Sequence, residues 1–256
     1  MMGPPKIKIE LLNMLRLFLS VTFSLFLISS VQAGESLSST EQEEVRKLVR
    51  ETLLQNPEIL VEAMSILQQR QEQARADQQK AALNSVSADM IKGPLTPVAG
   101  NPKGDVTLVE FFDYNCGYCK RAFPGVMEVI NSDKNIRYVL KEFAILGPES
   151  EVAARAALAA EKQGKYMDFH IAMMTMRGRL STDKIMKTAK DVGLDVEKLK
   201  KDMSGDDVNA EITSTREIAQ KLGITGTPAF IIGDQVIAGA VPPEALIEAV
   251  KQQRKK

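Results

Sequence analysis

The sequence holds two cysteines, three residues apart, in the phrase Glu110-Phe111-Phe112-Asp113-Tyr114-Asn115-Cys116-Gly117-Tyr118-Cys119-Lys120. A Cys-x-x-Cys pair set where a strand runs into a helix is suited to exchanging a disulfide with another molecule. The first turn of a helix offers unpartnered backbone N–H groups and the positive end of the macrodipole. Both favour a thiolate at Cys116, lowering a cysteine pKa from about 8.5 into a range of roughly 3.5–7.5. Lys120 and Arg121 add positive charge one turn on, and Asp113 opposes them. Helical spacing sets Cys119 beneath Cys116, so Cys119 can attack a mixed disulfide formed there and resolve it. The expected nucleophile is Cys116 and the expected resolving thiol is Cys119.

Two other uses of the pair fit less well. Tetrahedral zinc needs about four ligands, and the chain has no third cysteine and one histidine, His170. A disulfide closing so short a loop removes little chain entropy, so a purely structural bridge has little value. No metal is expected here, and His170, between Phe169 and Met173, is read as packing.

The elements that must position the pair follow from local pattern. Residues 106–112 are β-branched and aromatic, the composition of a buried strand. A helix over 117–132 follows, then a second strand over 135–141. That β-α-β unit requires a right-handed crossover and parallel strands. From Phe143 to Gly226 no strand is evident; helical spacing recurs over 150–162, 165–176, 182–192, 195–203 and 207–222. Ala229-Phe230-Ile231-Ile232, Gly233-Asp234 and Val236-Ile237 make a hairpin, and Pro243 opens a last helix. Strand, helix, strand, hairpin and helix is the order of a thioredoxin fold with a helical block inserted in its middle.

Before that domain lies an α-helical segment. Thr40 with Glu43 forms a capping-box pattern, ahead of Val45, Leu48, Val49, Thr52 and Leu53 at helical spacing. Asn56-Pro57 ends this helix and opens another, with Asn56 as its N-cap and an apolar stripe of Ile59, Leu60, Ala63, Met64 and Leu67. Two short amphipathic helices cannot bury both stripes alone, so they must dock on the main domain, as a cap folded back onto it, or on copies of themselves, the preferred reading. Residues 68–80 contain six glutamines and read as a solvated helical spacer. Gly93-Pro94, Pro97, Gly100 and Asn101-Pro102 then mark a boundary.

The N-terminus reads as an export signal. Lys6, Lys8 and Arg16 precede the apolar run Leu17 to Val31, and Val31-Gln32-Ala33 offers a small-residue cleavage site. The run is shorter than the roughly 20 residues that span a bilayer. Cleavage after Ala33 would leave 30 Lys and Arg against 32 Asp and Glu. That balance gives no reason to expect nucleic acid as a partner. Export places a dithiol among unfolded proteins that need their cysteines paired or re-paired.

The phrase from Val106 to Cys119, together with Gly223-Ile224-Thr225-Gly226-Thr227-Pro228-Ala229-Phe230, resembles the DsbA-type exported thiol–disulfide oxidoreductases over about residues 97–254. The stretch from Val45 to Glu58 resembles the N-terminal segment of the suppressor-of-copper-sensitivity C (ScsC-like) group, some of which trimerise and act as disulfide isomerases. The resemblance implies a DsbA-like thioredoxin-fold domain over 93–256, with its insertion at about 143–226. Ahead of it come a signal peptide at 1–33, a helical oligomerisation segment at 34–67 and a helical linker at 68–92. It also implies that Pro228 is a cis-proline beside the active site, leaving Thr227 backbone groups free to pair with a substrate strand. Glu110 matches an acidic residue buried beneath the cysteines, where it could relay the proton of Cys119. Lys141, on the neighbouring strand, could pair with it.

Strongly oxidising members have Pro-His between the cysteines. Here Gly117-Tyr118 stands there, as in the family's dimeric isomerases, and Thr227 before the proline also matches those. A less stabilised thiolate is a poorer leaving group, which implies a weaker oxidant. The expectation is therefore a periplasmic isomerase or reductase acting on misfolded exported proteins. It would be kept reduced by a membrane-embedded donor of the DsbD or ScsB type, would work as a homo-oligomer, with a trimer favoured, and would need no cofactor beyond its own Cys116–Cys119 disulfide. One alternative is a monomeric DsbA-type dithiol oxidase. Another is Cu(I) binding through the two thiolates with Met167, Met173, Met174 and Met176, although methionines at helical spacing are more often core filler.

Overall fold

The computed structural model describes residues 37–90, 92–93 and 95–255. The expected signal peptide at 1–33 and the Pro94 break lie outside them. The chain divides into two compact units at Gln68.

In the first unit, helix α1 spans Ser39–Gln55, and helix α2 (Glu58–Met90, 33 residues) begins there and continues into the second unit. The capping box lies two residues earlier than expected. Ser38, not Thr40, is the N-cap: its hydroxyl accepts from the Glu41 N–H, and Glu41 accepts from the Ser38 N–H at 2.8 Å. The Ser-x-x-Glu pattern occurs before the Thr-x-x-Glu one, and the earlier cap adds helical hydrogen bonds. Asn56 is also corrected. Its side-chain amide donates back to the Thr52 carbonyl at 2.9 Å, so it caps the C-terminus of α1 instead of opening α2. Val45, Leu48, Val49, Leu60, Met64 and Leu67 are all exposed.

The second unit is built on a five-stranded sheet in the order β1-β3-β2-β4-β5. The strands are β1 (Val98–Gly100), β2 (Val106–Phe112), β3 (Ile136–Glu142), β4 (Ala229–Ile232) and β5 (Gln235–Ala238). β2 and β3 are parallel, and the other pairings are antiparallel. Helix α3 (Gly117–Ser132) makes the crossover between them. The inserted block is five helices: α4 (Pro148–Glu161), α5 (Tyr166–Thr175), α6 (Thr182–Asp191), α7 (Val196–Asp202) and α8 (Asp206–Lys221). Helix α9 (Pro243–Arg254) closes the fold. This is the thioredoxin fold with a helical insertion. β1 was not evident in the sequence, because three residues between prolines carry no alternation; it exists by pairing with the edge of β3.

The sheet sorts side chains by parity. Leu108, Phe112, Tyr138, Leu140, Phe230 and Ile232 face a core shared with α3, α5 and α9. Val109, Phe111, Val139, Ala229 and Ile231 face the other way, onto Ile218, Ala219 and Leu222 around the end of α8. Leu83 and Val86 of α2 are buried in that second core. The helical linker expected over 68–92 is therefore solvated over its glutamine-rich part, 68–80, where only Gln79 is half-buried, and packed at Leu83 and Val86. The compact unit starts at Gln69, and the later turns of α2 belong to it. From Gln69 to Met90 those turns carry only three large apolar residues, Leu83, Val86 and Met90, too sparse a signal to separate packing from solvation.

Candidate active site

Cys116 is the N-cap of α3, and its Sγ accepts from the Cys119 N–H at 3.3 Å. Cys116 retains 5% exposure and Cys119 none. One sulfur can meet a substrate and the other is shielded behind it. The Thr227–Pro228 peptide bond is cis. The Thr227 carbonyl lies 3.3 Å from the Cys116 sulfur and accepts from its thiol.

The two thiols titrate far apart. The Cys119 thiol, above all, and then the Thr227 side chain and the backbone N–H groups of Cys119 and Tyr118 stabilise the Cys116 thiolate against the cost of burial, bringing its pKa down to about 5. The same pairing and burial push Cys119 far above an ordinary thiol. Lys120 and Arg121 act elsewhere than the sequence suggested. The Lys120 ammonium donates to the Met176 carbonyl at 3.0 Å, and the Arg121 guanidinium sits 4.3 Å over the exposed Tyr118 ring. Gly117 and Tyr118 occupy the first turn of α3. Asp113 is buried and accepts from the backbone N–H groups of Asn115, Ile145 and Leu146 at 2.7–2.9 Å, tying the cysteine loop to the start of the insertion.

Glu110 is fully buried, one oxygen accepting from the Tyr138 hydroxyl and the other, Oε1, without a partner. Burial raises its pKa to about 7, against the Tyr138 hydrogen bond, and the Cys116 charge adds to the rise. A carboxyl half-ionised near neutrality and close enough for the Cys116 charge to raise it can take and return a proton.

Lys141 does not pair with Glu110. In the parallel register Glu110 stands opposite Leu140 and Phe111 opposite Lys141, so Lys141 points to the other side of the sheet. There its ammonium meets Glu211 of α8 at 2.8 Å and Thr96 at 3.1 Å, fully buried. The sequence placed both residues on adjacent strands but could not supply the register, and one residue reverses the face.

Tyr138 is the partner that sequence reasoning missed. Also missed was a buried cluster behind the cysteine loop. The Tyr114 and Tyr166 hydroxyls lie 3.0 and 2.7 Å from one Glu142 oxygen, and Tyr114 is 3.0 Å from His170 Nδ1. His170 stacks on Tyr166, and burial lowers its pKa to about 3, so it is neutral. Met173 and Met174 are core residues, with Met167 and Met176 packed against that core. Among the described residues, no group of three or more His, Cys, Asp or Glu side chains is placed to hold a metal.

An ionisable sulfur at a helix N-cap, backed by a shielded one on this sheet topology, defines a thioredoxin-fold dithiol oxidoreductase. The chain belongs to the DSBA-like thioredoxin domain family, whose model matches residues 107–251, more than half its length. A second model, the copper resistance protein ScsC N-terminal domain, matches residues 41–74. Among solved structures, a thioredoxin-like oxidoreductase from Silicibacter pomeroyi DSS-3 is 47% identical, with a TM-score of 0.64 over 65% of this chain and 96% of that one. Proteus mirabilis ScsC, as a linker-deletion and N6K mutant, is 30% identical, with a TM-score of 0.66 over 87% of this chain and 99% of its own. The thiol-disulfide exchange protein alpha-DsbA2 from Wolbachia pipientis is 31% identical, with a TM-score of 0.66 over 70% of this chain and 97% of that one. A curated relative, Na(+)/H(+) antiporter NhaA 1 of Salinispora arenicola, is 30% identical over 60% of this chain and 24% of its own. The chain thus spans about a quarter of the length of the curated relatives it matches.

Proposed function

We propose that this protein is a periplasmic disulfide isomerase or reductase for exported proteins, worked by the Cys116–Cys119 dithiol. The Cys116 thiolate attacks one sulfur of a substrate disulfide. The substrate S–S bond breaks, a Cys116–substrate disulfide forms, and the other substrate sulfur leaves as a thiolate that takes a proton. In isomerisation a second substrate thiol attacks the mixed disulfide and returns Cys116 reduced, with no net electron transfer. In reduction Glu110 takes the Cys119 proton and Cys119 attacks the Cys116 sulfur of the mixed disulfide. The Cys116–substrate bond breaks, the Cys116–Cys119 disulfide forms, and the second substrate sulfur leaves as a thiolate that takes a proton. Two electrons have then passed from the enzyme dithiol to the substrate.

The observation that carries this reading is the division between the two sulfurs, the low-pKa Cys116 at the helix N-cap with slight exposure and the high-pKa Cys119 shielded behind it. Tyr118 between the cysteines supplies no charge to hold the thiolate. Thr227 and Pro228 hold the substrate strand beside Cys116. The export signal read over 1–33 supports the location. No helix among the described residues is long and apolar enough to cross a membrane.

The exposed apolar stripes of the first unit and its match to the ScsC N-terminal domain support self-association, with a trimer favoured and several active sites presented to one substrate. A membrane-embedded thiol reductant of the DsbD or ScsB type then keeps Cys116 reduced. Refolding of a fully oxidised, scrambled substrate tests the activity. Recovery of native pairing by the reduced protein is expected; a protein that oxidises reduced substrate but leaves scrambled substrate unchanged would be the monomeric oxidase instead.

A further inference from the structure

Two hollows that share lining residues lie between the Thr227–Pro228 segment and helix α2. The first, of about 290 Å³, is lined by the segment from Gly223 to Ala229, which includes Thr227 and Pro228, and by Gln79. The second, of about 320 Å³, shares Gln79 and Gly223 with it and is bounded by Arg75, Gln78 and Lys221. All of these residues lie in the second compact unit.

Helical geometry explains why α2 forms this wall. Arg75, Gln79, Leu83 and Val86 recur at four, four and three residues, one face of the helix. Leu83 and Val86 are buried against the core around Leu222 and Ile224. Packing at the C-terminal end of the stripe therefore aims its polar beginning over the hollow. Gln79 is half-buried there. Among the described residues no carboxylate lines either hollow, and two cations line the outer one. Glu72 and Glu217, one turn away on α2 and α8, line neither.

We propose that this stripe of α2, with Lys221, is the second wall of the substrate cleft and selects polypeptide segments that carry carboxylate side chains near the reacting cysteine. The proposal rests on the exchange activity above and extends it: the helix before the catalytic sheet is a recognition element and not only a spacer. Its occupant is an extended segment of the disulfide-bearing protein. Thr227 lines the near hollow, and its carbonyl is 3.3 Å from the Cys116 sulfur, which links the cleft to the reacting atom. Gln79 offers an amide to the main chain of that segment, and Arg75 and Lys221 meet its acidic side chains. With an otherwise balanced charge on the protein, any preference for acidic peptides is local.

The test uses the reduced full chain and three disulfides. Two are cysteine peptides capped as mixed disulfides with 2-mercaptoethanol, bearing Glu or Lys at the third to fifth residues on either side of the cysteine. The third is the neutral small molecule bis(2-hydroxyethyl) disulfide. Second-order rates at low ionic strength are expected to favour the Glu peptide by about three- to tenfold, with the difference shrinking as salt is added. The double variant Arg75→Gln, Lys221→Gln should lose the preference and react normally with the small disulfide. Gln79→Ala should slow both peptides and spare the small disulfide. Equal rates for the two peptides, or a preference undiminished in the double variant, overturn the proposal. Failure of the unmodified protein to react even with the small disulfide overturns the exchange reading itself, which a normal rate with that probe leaves standing.

Discussion

Cys116 and Cys119 are the same thiol in two surroundings, and the difference between those surroundings makes the pair directional. The Cys119 thiol contributes most to holding the Cys116 thiolate, so Cys119→Ala should raise the Cys116 pKa from about 5 toward that of an ordinary cysteine. Thiolate absorbance near 240 nm measures this. The effect on stability follows the same sign. A folded pKa depressed from 9.0 to about 5 stabilises the reduced protein fully above pH 9, and that contribution falls away as pH drops toward 5. The denaturation midpoint of the reduced protein should therefore rise relative to that of the oxidised protein as pH goes from 5 to 9. Beneath the sulfurs, Tyr138→Phe removes the donor that stabilises the Glu110 carboxylate. The pH midpoint for Cys119 resolving a mixed disulfide should then move above 7. Lys141→Met should leave that midpoint where it is, because Lys141 lies across the sheet.

Strand β3 shows how an element distributes function by alternation. Tyr138 and Glu142 face the cysteine side, and Lys141 faces α8. The ion pair of Lys141 with Glu211 is fully buried, so breaking it leaves a charge without compensation. Glu211→Ala should cost about 3–5 kcal/mol in urea unfolding, while the Cys116 ionisation stays near 5. Helix α2 gives the parallel case for packing. If its later turns belong to the core as Leu83 and Val86 indicate, Leu83→Ala should cost about 2–5 kcal/mol. A solvated spacer would lose almost nothing from the same change.

At the scale of the whole molecule, the first unit leaves Leu48, Leu54, Val61 and Met64 largely exposed. Clustered apolar surface of this kind is costly in water unless another surface covers it. Deleting residues 34–67 should reduce the solution mass to that of a single chain and, with it, the recovery of scrambled substrate, while exchange with a small disulfide continues. An unchanged mass by light scattering would remove self-association from the account.

The sequence by itself determined the chemistry and most of the elements. The Cys-x-x-Cys at the mouth of a helix, the strand over 106–112, the five inserted helices and the hairpin before α9 are set by capping, periodicity and turn chemistry, which act within a few residues. Tertiary structure decided which side chains meet. The register of β2 on β3 gave Glu110 a tyrosine where a lysine was expected, and packing on the core around α8 drew the tail of a glutamine-rich helix into the catalytic domain. Both are long-range choices that local pattern leaves open: a single residue of offset decides the first, and burial of Leu83 and Val86 against a core distant in sequence decides the second.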